Sequence, residues 1–278
     1  MIENKMKQYN LFDKNFLGCE KEQGFDAASK TKPEKGSWIR DQLNWPGATV
    51  FTDDMCFTNT VDVVSSKIKI AWLLESPGVK SYVYENINQV QHKFDYVFTF
   101  LPDNLANELK IKKEKYVHCH LGGAWVSFEE ASNKKTKLVS LIASEKNYLP
   151  GHQLRHEIAK KIGGIDLYGK AYKPIKNKSE ALDEYAFSFV VENFSVPGYF
   201  TEKLIDSFLR KTIPVYWGDP NIINVFNKDG IIFLNDLQNI NFDFYNSKLE
   251  TIEENYNIAL KYKSNDDNIF EKINELEK

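Results

Sequence analysis

Two apolar runs, residues 186–191 and Ile213–Trp217, constrain the fold most: they are separated by a polar loop and an amphipathic helical segment. A strand that is apolar at nearly every position has both faces buried, as in a parallel sheet covered by helices. The first run ends at Glu192-Asn193, a Pro-Gly turn follows, and Thr201-Glu202-Lys203 opens the helix. A strand ending in a polar loop that feeds a helix N-terminus is where α/β proteins hold anionic ligands. A carboxylate beside an ammonium at that place suits a ligand carrying both hydroxyls and phosphates.

The same alternation runs along the rest of the chain. Residues 67–74 read as a strand that stops at Glu75-Ser76-Pro77-Gly78, 79–92 as a helix, 95–101 as a strand, 103–109 as a helix and 116–121 as a short strand. The first 48 residues are polar and glycine-punctuated, with a short helix expected over 37–43. Gly122-Gly123 and the polar run from Ser132 to Thr136 read as a linker. A second series follows: a strand at 138–143, a helix at 153–162 with Leu154, Ile158 and Ile162 at four-residue steps, a strand at 165–168 and a short helix at 179–185. After the opening stretch comes a strand at 231–234, and from Leu249 onward Ile252, Tyr256, Leu260 and Ile269 keep a helical period. Such alternation predicts doubly wound parallel sheets. The expected domains are 1–130 and 131–248, with a C-terminal helix over 249–278 free to pack across both. Neither half contains GxGxxG or a Walker motif, so dinucleotide and NTPase readings find no support.

A chain of 278 residues is long enough for two cores. The formal net charge of −3 argues against general attraction to nucleic acid or anionic lipid. Cys19, Cys56 and Cys119 are odd in number and widely spaced, which fits neither a disulfide framework nor a metal-ligand set and points to a reducing compartment. The first residues contain no apolar run of signal-peptide length, and no stretch approaches a membrane span. The expectation is a soluble, cytoplasmic protein.

The stretch from Tyr185 to Leu234 closely resembles the donor-binding motif of the family 10 glycosyltransferases, the α-1,3/1,4-fucosyltransferases. The pattern there is a strand, Glu-Asn, a short loop, Tyr-x-Thr-Glu-Lys, a helix, then Pro-Val-x-x-Gly. Glu192-Asn193, Tyr199-Phe200-Thr201-Glu202-Lys203 and Ile213-Pro214-Val215-Tyr216-Trp217-Gly218 match it. The likeness is fair over 137–169 and thin over the first 130 residues, apart from Glu75-Ser76-Pro77. The resemblance implies the GT-B architecture: two Rossmann-like doubly wound α/β domains facing a central cleft, the second holding a nucleotide-sugar donor. It implies an inverting transfer of L-fucose from GDP-fucose to a hydroxyl of a saccharide acceptor, GlcNAc or glucose in a short glycan, with an α-1,3- or α-1,4-type linkage. It also implies that no cofactor and no essential divalent metal are needed. Two alternatives stay open: a different GDP-sugar donor on the same scaffold, or a non-catalytic glycan- or nucleotide-binding protein.

Roles follow residue by residue. Lys203 and Arg155 are the expected diphosphate clamp, stabilising the charge that grows on the departing nucleotide. Lys203 in a first helical turn opposes the helix dipole, a conflict that a bound anion removes. Glu202 matches the glutamate that hydrogen-bonds the ribose hydroxyls, and Asn193 and Tyr199 frame the nucleotide. Thr201 reads as a helix cap. Glu75, at the end of a buried strand and before Ser-Pro, is the expected general base, with Glu85 and Asp95 as weaker candidates. His118-Cys119-His120 has metal-like spacing, but strand alternation puts Cys119 on the face opposite the two histidines, so no metal is expected there. Asp53-Asp54 reads as a turn or cap rather than a metal motif.

Overall fold

The computed structural model describes residues 6–14, 31–127, 131–234, 236–237 and 240–278; Cys19 lies outside them. The chain forms two α/β units, Met1–Leu121 with Ser264–Lys278, and Gly122–Lys263. Among the described residues, no helix is long and apolar enough to cross a membrane.

The first unit is built on β1 (Gln8–Phe12), β2 (Ser37–Arg40), β3 (Asn44–Thr52), β4 (Ser65–Leu73), β5 (Tyr96–Thr99) and β6 (Tyr116–His118). They form a six-stranded sheet in the order β2-β1-β3-β4-β5-β6, parallel throughout. Between its strands lie α1 (Thr60–Val63), α2 (Ser81–Val90) and α3 (Asp103–Glu108). The middle of the sheet is apolar on both faces: Ile70 to Leu73 of β4 and Val97 and Phe98 of β5 are all buried. The helix expected over 37–43 is instead β2. Ser37 pairs in register with Gln8, and Trp38 packs its ring against Tyr9 and Phe270. A four-residue edge strand is too short to show a period, so only its pairing partner defines it.

The second unit contains β7 (Lys137–Ile142), β8 (Asp166–Tyr168), β9 (Tyr185–Val191), β10 (Ile213–Trp217) and β11 (Ile232–Phe233), with α4 (Pro150–Lys161), α5 (Glu202–Leu209), α6 (Phe242–Ser247) and α7 (Leu249–Leu260). The strand order is β11-β10-β9-β7-β8, again all parallel. All seven residues of β9 are buried, as the continuous apolar run requires. The short helix expected over 179–185 is a single 3-10 turn at Lys178–Ala181, closed by an Asn177–Glu180 capping box, and Tyr185 already belongs to β9, paired with Lys137.

Two boundaries differ from expectation. The units divide after Leu121 rather than after residue 130, because the Gly123 N–H bonds to Tyr262 O (2.8 Å) and the Trp125 and Val126 N–H groups bond to the buried Asp206 carboxylate (2.7 and 3.2 Å). The periodic segment from Leu249 onward is two helices. α7 belongs to the second unit, and α8 (Asn265–Leu276) to the first. Ser264 caps α8, Phe270 stacks on Tyr9 at 4.5 Å, and Asp266 accepts the Trp38 indole N–H at 3.1 Å.

Candidate functional site

In an open parallel sheet, ligands bind outside the carboxyl ends of the strands where the chain order reverses direction. In the second unit that point lies between β7 and β9, since β8 lies on one side of β7 and β9 on the other. A cavity of about 320 Å³ opens there, walled by residues that follow β7, by α4, by the loop after β9 and by the first turn of α5. Arg155, Asn193, Glu202 and Lys203, four of the residues singled out in the sequence, line it together with Lys146, His152, Lys178 and Asp206.

Local sequence explains how each side chain arrives. α4 begins at Pro150, whose missing N–H costs nothing in a first helical turn. Gly151 lets that turn press against the β9 loop. A Cβ there would lie 1.7 Å from Glu192 O, and the Gly151 N–H bonds to Asn193 O at 3.1 Å. One turn on, Arg155 donates from Nε and Nη2 to Val191 O (3.0 and 2.5 Å) and from Nη2 to Asn193 Oδ1 (2.9 Å). The guanidinium thus braces the carboxyl end of β9. Burial lowers its pKa, and Glu192 and Glu202 oppose the shift; an arginine there remains charged.

Glu192 is fully buried and organises the loop. Its N–H bonds to Trp217 O (2.8 Å), which ties the ends of β9 and β10 together. Its carboxylate accepts the Thr201 N–H (2.9 Å) and hydroxyl (2.8 Å), and the Lys203 ammonium lies 3.3 Å away. Thr201 caps α5 as expected, accepting the Lys203 N–H. Lys203 Nζ also reaches Thr201 Oγ1 at 2.9 Å and Glu202 Oε1 at 3.3 Å. Its clash with the helix dipole is therefore already offset by two carboxylates of the protein itself, a compensation that the sequence reading assigned to a bound anion.

Glu202 lies between two cations, with Lys203 at 3.3 Å and Lys178 at 3.4 Å. Burial alone pushes its carboxyl upward, but Lys203 and Lys178 outweigh that and hold it well below the usual carboxylate range. His152 is the reverse case: burial, with Arg155 and Lys146 adding to it, draws its imidazole down to about 4, so it is neutral at pH 7. The wall thus presents lysine and arginine cations, the ionised Glu202 carboxylate and, beside Lys178, the Asp206 carboxylate.

Tyr199 is buried, with its N–H on Val196 O (3.1 Å), and is not part of the cavity wall. Glu75 belongs to the first unit, just beyond the carboxyl end of β4. Its backbone is held by Asp53, whose buried carboxylate accepts the Leu74 N–H (2.9 Å) and the Glu75 N–H (3.3 Å). Asp54 pairs with Lys80, so both aspartates serve the turn. Asp95 precedes β5 at its amino end, the edge opposite Glu75, and accepts the Lys69 N–H (2.8 Å), and Glu85 is exposed on α2. Among the described residues, no three His, Cys, Asp or Glu side chains gather in a way that could hold a metal ion. His118 and His120 stack edge to face at 4.4 Å.

Sequence reasoning did not single out Lys178 or Asp206. Asp206 follows Glu202 by four residues and shares its helix face, a signal that could have been read. Lys178 sits in a polar run with no pattern.

Two parallel-sheet α/β units, with a cationic cavity at the switch point of the second, make a two-domain Rossmann-like fold of the GT-B type. A crystal structure of an α1,3-fucosyltransferase shares this fold with a TM-score of 0.52 and 17% identity, over 95% of this chain and 82% of that one. One of α1,3-fucosyltransferase with GDP gives 0.50 and 17%, over 99% and 90%. The C-terminal model of glycosyltransferase family 10 (fucosyltransferase) matches residues 132–271, half of the chain, and the chain belongs to that family. The α-(1,3)-fucosyltransferase FucT of Helicobacter pylori is 31% identical over 143 residues, which is 50% of this chain but only 30% of the relative's length.

Proposed function

We propose that the protein transfers L-fucose from GDP-fucose to a saccharide hydroxyl, most simply in an α-1,3 linkage. The observation that carries this reading is the gathering of Arg155, Asn193, Glu202 and Lys203, from separate stretches of sequence, around one cavity at the switch point. Family membership and the named activity of the relative support it.

In this reading the diphosphate lies against the N-terminus of α5, where free N–H groups and the dipole favour an anion. Lys203 and Arg155 neutralise it, and Glu202 accepts hydrogen bonds from the ribose hydroxyls. Glu75 removes the proton of the acceptor hydroxyl as its oxygen attacks the anomeric carbon. The bond from that carbon to the phosphate oxygen breaks on the opposite face, inverting the centre, and its electron pair leaves on GDP. A diphosphate is a good enough leaving group to need no acid, and the two cations do the work that a divalent metal does elsewhere.

Incubating the protein with GDP-fucose and short GlcNAc- or glucose-terminated glycans in EDTA tests this directly. Mass and linkage analysis should find one added α-fucose, and GDP-mannose should not substitute as donor. Lys203→Ala should lower turnover by about a thousandfold, the scale of losing a main electrostatic stabiliser. Turnover near wild type in that variant would sink the reading.

A further inference from the structure

Lys178 lies in the 3-10 turn before β9, and no motif of the sequence includes it. Its ammonium reaches Glu202 Oε1 at 3.4 Å and Asp206 Oδ2 at 2.7 Å. Asp206 is only 1% exposed, and its other oxygen accepts the Trp125 and Val126 N–H groups. Lys178 is thus fastened to a buried carboxylate that is itself fastened to backbone, while one edge of the ammonium faces Glu202 and the cavity.

The second cation beside Glu202 is differently placed. Lys203 divides its ammonium among Thr201, Glu192 and Glu202, and in the donor reading it turns to the diphosphate. A carboxylate that loses one of two cationic partners swings unless the other is anchored. Glu202 is only half-buried, so the loss of a cation costs it position more than solvation.

From this geometry we infer that Lys178 is a positioning residue for nucleotide recognition: anchored by Asp206, it holds Glu202 in place so that Glu202 can accept the ribose hydroxyls. The inference rests on the donor reading above. It separates three of the four cations of the cavity by task, Arg155 and Lys203 for phosphate and Lys178 for ribose through Glu202. It also makes Asp206, which never touches the ligand in this reading, part of the same device.

The test compares GDP with 2′,3′-dideoxy-GDP by calorimetry on wild type, Lys178→Met and Lys178→Arg, with thermal melts confirming that each variant folds. Wild type should bind GDP about tenfold more tightly than the dideoxy form, the scale of a charge-assisted hydrogen bond. In Lys178→Met that ratio should fall below about twofold, and Lys178→Arg should restore most of it. A role confined to stability would lower affinity for both nucleotides alike and leave the ratio at its wild-type value, which overturns the inference and spares the donor reading. Wild type that binds neither nucleotide overturns both.

Discussion

Glu192 and Asp53 show how differently two fully buried carboxylates can be used. Glu192 has a lysine, a hydroxyl and a backbone N–H as partners, and it shapes the loop that carries Asn193. Asp53 holds the turn of Glu75 through backbone N–H groups. Burial pushes its carboxyl up to about 7; the Leu74 N–H opposes the shift and the charge of Glu75 adds to it. A carboxyl whose folded pKa lies above its unfolded value contributes stability that is complete below about pH 3.9 and is lost as pH rises through 7. Asp53→Asn lacks that titration. Its stability relative to wild type should therefore improve between pH 5 and pH 8, by up to about 3 kcal/mol. Urea melts at the two pH values measure it, and a constant gap would mean that Asp53 does not titrate in this window.

Among the elements, α4 and α5 grip the β9 loop from two sides. α5 is fixed by its Thr201 cap and by Leu204, Ile205, Phe208 and Leu209, all buried. α4 depends on a close approach at Gly151, where a methyl group would meet Glu192 O. Gly151→Ala should force the loop outward, costing about 1–3 kcal/mol as overpacking does and weakening GDP binding in parallel. Gly163, just beyond the end of α4, has open space around it, and Gly163→Ala should change stability by less than about 1 kcal/mol. Thermal melts and GDP titrations on the pair check this; equal behaviour would show that the helix tolerates a shift at its N-terminus.

For the molecule as a whole, the donor reading assigns the nucleotide to the unit formed by Gly122–Lys263. Saturation at a hundred times the dissociation constant should stabilise the protein by about 2.7 kcal/mol. Hydrogen exchange with GDP should show its strongest protection at the start of α5 and in the loop after β9, and protection confined to the first unit would refute the assignment. Much of this was written locally. The almost wholly apolar run of β9 read as a central parallel strand, and Glu192-Asn193 and Thr201-Glu202-Lys203 announced the loop and helix start that line the cavity, because strand burial and helix capping depend on neighbours a few residues away. The short edge strand β2, the break between α7 and α8 and the shift of the unit boundary to Leu121 were not legible, since each is defined by a partner more than twenty residues distant. The same holds for Lys178. Sequence alone determined which residues carry charge at the head of α5; only the tertiary structure, by bringing residues 178, 202 and 206 to one wall, decided which carboxylate each lysine holds, because an ion pair is set by distance in space and not along the chain.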